Sequence, residues 1–131
     1  MEYGLFLKKE HIFEMKTYDS PEATAIGERI ANMKNKPEGI IVSTDKAAKV
    51  IMETLQKNNL RIPEDIMITG CNDTSDIPKL TVPALTTVTL PMYECGRQAA
   101  LMMLDLIQGK AHPDLMLEPS LTIRQSTAAK K

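Results

Sequence analysis

Two uninterrupted apolar runs, Gly39-Ile40-Ile41-Val42-Ser43 and Ile66-Met67-Ile68-Thr69-Gly70, constrain this chain more than any other feature. A strand with one face in water alternates apolar and polar residues, whereas a continuous β-branched run marks a strand covered on both faces. Between the runs Ala47, Ile51 and Leu55 fall on one helical stripe, from about Lys46 to Lys57, with Asp45 placed as the helix cap. Buried strand, helix, buried strand is the repeating unit of an α/β fold: a parallel sheet flanked by helices on both faces.

The alternation extends in both directions. His11 to Met15 reads as a short strand, and after Tyr18-Asp19 comes Ser20-Pro21, with Ser20 suited to cap a helix and Pro21 to its first turn. Ala23, Ile26, Ile30 and Met33 recur at spacings of three and four before Asn35-Lys36-Pro37 ends the pattern. Downstream of Gly70 lie a polar stretch from Asn72 to Lys79, a short strand at Leu85 to Val88, and a long helix from about Met92 to Gln108 that Gly109 stops. Leu121-Thr122-Ile123 closes the series as a last strand.

Composition excludes several functions. With 131 residues the chain fits one domain, and a net charge of -1 offers no general attraction for phosphate backbones. The longest basic runs are the pairs Lys8-Lys9 and Lys130-Lys131, so this chain is not expected to bind DNA by itself. Cys71 and Cys95 sit in apolar stretches without a neighbouring ligand and read as buried, reduced thiols; His11 and His112 stand far apart, and no metal site is expected. The glycines stand singly, which argues against a phosphate-cradling loop, and no nucleophile, base and orienting group can be assembled, so neither a cofactor nor catalysis is expected. No apolar run reaches the roughly 18 residues of a membrane span and no signal peptide opens the chain, which makes the cytoplasm the expected location.

Ligands of open parallel sheets bind beyond the carboxyl ends of the strands. Here those ends carry Tyr18-Asp19, Ser43-Thr44-Asp45 and Cys71-Asn72-Asp73, short polar side chains able to grip vicinal hydroxyls. Each has a structural alternative: Asp45 can cap its helix, Asn72-Asp73 can shape a turn, and Tyr18 can pack at a rim.

From Asn59 the sequence reads Asn-Leu-Arg-Ile-Pro-Glu-Asp-Ile-Met-Ile-Thr-Gly-Cys-Asn-Asp. It resembles the LacI/GalR pattern Gly-Leu-x-Val-Pro-x-Asp-Val-x-Val-x-Gly-Phe-Asp-Asp. The likeness continues through Pro83-Ala84-Leu85-Thr86-Thr87-Val88, Pro91, Gly96-Arg97, and the stretch from Leu117 to Thr127, where Arg124 and Ser126-Thr127 are in register. Upstream, Gly39 to Asp45 is similar to the family's Ala-Ile-x-x-x-Asn-Asp or Ser-Asp segment.

The resemblance implies a partial periplasmic-binding-protein-like fold, the C-terminal part of an effector-binding domain over residues 1-131. Gly4-Leu5 resembles the turn after the first helix of the C-terminal subdomain, so the DNA-binding helix-turn-helix, the hinge, the N-terminal subdomain and an effector-gripping Arg are expected outside this chain. It further implies a small-molecule effector, a sugar or sugar derivative, contacted by Tyr18, Thr44, Asp45 and Asn72. Operator DNA is reached only through the head. Asn72 replaces a family Asp, which keeps an acceptor and adds donors but removes the charge. Leu90 stands where the family often has Gln. The family packs the helix matching Met92 to Gln108 in its N-terminal subdomain, so the stripe of Met92, Gly96, Ala99, Ala100, Met103 and Ile107 is expected to be exposed and to favour a homodimer, which the family builds through the helix matching Lys46 to Lys57 and the loop near Leu80. A sugar-binding receptor of an importer shares the fold and stands as the alternative.

Overall fold

A computed structural model describes residues 8–17 and 20–128. A single 3-10 turn, Lys9–His11, opens it; α1 (Ser20–Ala31), β1 (Gly39–Ile41), α2 (Asp45–Lys57), β2 (Met67–Asn72), α3 (Ile77–Leu80), β3 (Thr86–Thr89), α4 (Met92–Ile107) and β4 (Ser120–Thr122) follow, and a second 3-10 turn spans Gln125–Thr127. The short α3 falls in the stretch read as polar loop, and Pro near its start suits its first turn.

The four strands form one sheet in the order β1-β2-β3-β4. β1, β2 and β3 are parallel, with Ile40 opposite Ile68 and Gly70 opposite Thr87. β4 runs antiparallel to β3, Ser120 facing Thr89, so the sheet is mixed where an all-parallel one was expected. The reason lies in α4. A helix of 16 residues, about 24 Å long, leaves directly from the carboxyl end of β3 and does not pack back on the sheet, so none of its residues is buried. The chain therefore re-enters beside the carboxyl end of β3 and must run down it.

The core lies on one face, where α1 and α2 pack together and α2 lies on β2. Ala23 and Ile30 of α1, Ala47, Ile51 and Leu55 of α2, and Ile68 of β2 are closed off from water. Fully burying a side chain such as Leu55 contributes roughly 1.5–3 kcal/mol. The opposite face is bare among the described residues: Ile41 is 91% exposed, and Met67, Leu121 and Ile123 are exposed too. Helices thus cover one face rather than both, because α4 supplies no second layer.

His11 to Met15 forms no strand. His11 ends the 3-10 turn, and residues 12–15 run without sheet pairing while Phe13 and Met15 pack against the core and the Arg29 guanidinium lies 4.9 Å from the Phe13 ring. The cysteines also depart from expectation: Cys71 is only half-buried, and Cys95 is exposed because α4 has no neighbour to cover it.

The ends of α2 explain its position. Thr44, not Asp45, is the cap: its backbone is extended and its Oγ1 accepts from the Ala47 N–H at 3.2 Å, leaving Asp45 as the first helical residue. At the other end Asn59 takes φ 62°, the Asn59 N–H donates to the Gln56 carbonyl at 2.9 Å, and the Leu60 N–H donates to the Leu55 carbonyl at 3.1 Å. That is the Schellman arrangement, with Asn standing where the LacI/GalR pattern has Gly.

Candidate functional site

The carboxyl ends of β1 and β2 meet at a buried carboxylate. Asp45, the first residue after the Thr44 cap, is 5% exposed. Its Oδ2 accepts the Asp73 backbone N–H at 2.7 Å, and its Oδ1 accepts from the Thr87 hydroxyl. Gly70 makes this approach possible, since a Cβ there would fall on Asp45 Oδ1 and press on Leu85. The Thr44-Asp45 and Asn72-Asp73 pairs, found at separate strand ends in the sequence, are thereby brought side by side.

Asn72 and Asp73 both adopt positive φ, 118° and 51°. L-residues rarely enter that region, and Asn and Asp tolerate it best because their short polar side chains can bond locally. The Asn72 carbonyl accepts the Leu90 N–H at 3.3 Å, but its side-chain amide makes no hydrogen bond among the described residues and is half-buried. Asp73 is fully engaged. Its Oδ2 accepts from Thr89 Oγ1 at 2.9 Å, and Arg124 Nη2 donates to both oxygens, at 3.0 and 3.1 Å. Burial by itself would raise the Asp73 pKa; hydrogen bonds from Arg124 and Thr89, with the positive charges of Arg124 and Lys79, outweigh it and hold the carboxyl below its ordinary value.

Of the four residues expected at the site, Thr44 and Asp45 follow β1 and Asn72 ends β2, at the same end of the sheet. Tyr18 lies outside the described residues. Thr44 spends one acceptor position on its capping bond, and Asp45 spends an oxygen on each of two protein partners. Asn72 is the member whose side-chain amide makes no hydrogen bond among the described residues. Sequence reasoning placed Asp73 at the same strand end but did not single out Thr87, Thr89 or Arg124 as parts of this arrangement. One signal was available: Thr87 and Thr89 are two apart in a strand, hence on one face, and both reach the carboxylates that follow β1 and β2.

A largely apolar groove of about 440 Å³ lies between residues 11–15 and the outer edge of β1 and reaches Ser43, next to Thr44. Phe13, Met15, Ile26, Ile40 and Val42 line it, with His11 and Ser43 as its polar members. Among the described residues no group of three or more His, Cys, Asp or Glu is placed to hold a metal ion, and no helix is long and apolar enough to cross a membrane.

Residues 4–127 match the family model for the periplasmic binding protein-like domain. Over 129 residues the chain is 30% identical to the NTD biosynthesis operon regulator NtdR of Bacillus subtilis, covering 96% of this chain and 39% of that protein. It is also 30% identical to the HTH-type transcriptional repressor PurR of Vibrio vulnificus, covering 95% and 37%. Among solved structures, a LacI family transcriptional regulator from Bifidobacterium animalis subsp. lactis superposes with a TM-score of 0.81 at 28% identity, over 85% of this chain and 41% of that one. The chain spans about two-fifths of the length of these relatives.

Proposed function

The chain belongs to the periplasmic-binding-protein-like domain family in the form carried by LacI/GalR regulators, and from that premise we propose that it is the C-terminal part of an effector-sensing region. The effector is a small polyhydroxylated molecule, a sugar or sugar derivative, whose binding governs a DNA-binding head outside this chain. The reading places the protein in the cytoplasm and makes it a homodimer that uses α2 and the neighbouring loop, where Leu80 and Val82 are strongly exposed.

One observation carries the reading: Asn72 ends β2 with a side-chain amide that makes no hydrogen bond among the described residues, next to Asp73, whose N–H the buried Asp45 holds. An amide presents both donor and acceptor, which matches a pair of ring hydroxyls. In this proposal Asn72 makes the direct contact, Thr44 adds a hydroxyl, Tyr18 stacks on the ligand, and Asp45 shapes the crevice floor.

The test is a thermal-shift panel of sugars and phosphosugars on a regulator that contains this segment. A true effector at 100 times its Kd stabilises by about 2.7 kcal/mol, and Asn72→Gly, which removes the amide at a position whose positive φ glycine adopts freely, should erase that shift while leaving the unliganded melting temperature within a degree or two. A panel without any shift, or a shift that survives Asn72→Gly, overturns the reading. The 131 residues alone should show weak shifts or none. The gene sequence ahead of this segment gives a separate check: a helix-turn-helix supports a regulator, and a signal peptide points to an importer receptor instead.

A further inference from the structure

Asp73 is where three distant parts of the chain meet, and among the described residues none of the three hydrogen-bonds to the Asn72 side chain, although Thr89 pairs with Asn72 across the sheet. Asp45, at the start of α2, holds the Asp73 N–H; Thr89, at the end of β3, donates to its carboxylate; Arg124, after β4, grips both of its oxygens. Two successive positive φ values in residues other than glycine persist only where the surroundings over-determine them. Asn72 is held by its pairing with Thr89 and by the Leu90 N–H on its carbonyl, and the side-chain bonds that hold the turn come through Asp73.

We infer that Arg124 is a positioning residue: through Asp73 it fixes the backbone turn that presents Asn72 to the crevice. The inference rests on reading Asn72 as the effector contact. Arg124 is itself immobilised, which is what lets it position another group. Its Nη1 donates to the Leu85 carbonyl at 2.8 Å, its backbone N–H donates to Thr86 Oγ1 at 2.8 Å, and Thr86 Oγ1 donates back to the Arg124 carbonyl at 3.1 Å. A planar guanidinium held through Nη1 on the Leu85 carbonyl aims its Nη2 between the two Asp73 oxygens at a set angle, which an ammonium on a flexible stem does not do. Arg124 lies after β4, and β4 enters the sheet from the α4 excursion, so the clamp also ties the register of that returning strand to the geometry of Asn72.

The experiment needs no ligand. Nuclear magnetic resonance on the 131-residue chain follows the backbone and side-chain amide signals of Asn72 together with the carboxyl titration of Asp73, in wild type, Arg124→Met and Arg124→Lys. The charged groups facing that carboxyl are Arg124, Lys79 and Asp45. In Arg124→Met the Asn72 signals should move by several linewidths and the Asp73 midpoint should rise, while amides of Ile51 and Leu55 keep their positions. Arg124→Lys should return the Asp73 midpoint most of the way and leave Asn72 displaced, separating the effect of geometry from that of charge. If the Asp73 midpoint rises and Asn72 does not move, Arg124 is an ion-pair partner and nothing more, and the inference fails. Should Arg124→Met not fold, Arg124→Lys decides alone: a displaced Asn72 supports the inference, and an unmoved Asn72 sinks it. Because no effector is present, this outcome is independent of whether any sugar binds.

Discussion

α2 and α4 follow the same local rules and end in the same way, but their surroundings differ. In α2, seven of 13 residues are buried; in α4, none of 16 is. Both close with a residue at positive φ and the paired Schellman bonds: Asn59 after α2, Gly109 after α4, where Gly109 N–H reaches Leu106 and Lys110 N–H reaches Asp105. Both carry apolar side chains at helical spacing. The difference is tertiary, since α2 lies between α1 and the sheet, whereas Leu101, Met103, Leu104 and Ile107 of α4 face open solvent. Helical signals in a sequence therefore specify that a helix forms and where it stops, while its share in global stability depends on a partner.

The largest expected effect tests that statement directly. Leu55→Ala empties a fully enclosed position and should cost about 2–5 kcal/mol, transfer and cavity effects together. Leu104→Ala, at 54% exposure, should change stability by no more than about 0.5 kcal/mol. Urea unfolding of the two variants decides it, and comparable losses would mean that α4 is packed in solution.

Next in size is a reversal of sign between two glycines. A Cβ at Gly27 of α1 would sit 2.8 Å from Thr54 Cβ and 2.9 Å from its Cγ2, both in α2. Gly27→Ala should therefore push the helices apart and cost about 1–3 kcal/mol. Around Gly96 of α4 nothing lies within 4 Å of such an atom. Gly96→Ala should strengthen α4 by up to about 1 kcal/mol of helix propensity, read as increased helical circular dichroism.

The acid response should follow the same division. A carboxyl held below its ordinary pKa contributes stability that is complete above its unfolded value, about 3.9 for Asp, and lost as pH falls through its folded one. Asp73 is such a group, and it joins β2, β3 and the segment after β4. Urea midpoints recorded from pH 5 to pH 2 should fall less steeply in Asp73→Asn than in wild type. Glu94 in α4 is lowered too, to about 2, by hydrogen bonds from Arg97 and Gln98, yet it lies on a helix without buried residues. Its titration should move back toward the ordinary Glu range in 1 M salt, and Glu94→Gln should leave the acid slope of global unfolding unchanged.

Much of this was legible in the sequence for a physical reason. The runs at Gly39 and Ile66 and the stripe of Ala47, Ile51 and Leu55 are read from nearest-neighbour spacing, and the strands and helix appear where that spacing puts them. What escaped depends on contacts between distant positions. The direction of β4 follows from α4 leaving the sheet, and residues 12–15 reach the core through the Phe13 and Met15 side chains without pairing along the β1 edge. Thr44 and Asn72 stand where the polar strand ends were read. The roles of Asp73 and Arg124 arise from a pairing 51 positions apart, which no local pattern reports.

The smallest effect is also the sharpest test of the comparison, because it uses the same substitution at equivalent positions of the two helices. Asn59 has φ 62° and Gly109 φ 71°, so alanine at either place meets the same left-handed penalty, of order 1 kcal/mol. At Asn59 the penalty falls on a turn whose next residue, Leu60, packs against the core and whose partner carbonyl belongs to buried Leu55. Asn59→Ala should thus lower the global melting temperature by a few degrees, and Asn59→Gly should leave it equal or slightly raised, since Gly enters that region freely but gains freedom in the unfolded chain. At Gly109 the turn closes a helix without buried residues. Gly109→Ala should loosen the last turn of α4, visible as faster amide exchange at Gln108 and Lys110, with the melting temperature unchanged. Equal shifts in melting temperature at the two positions would show that α4 unfolds together with the core, and its bare surface would then need a partner that the single chain does not display.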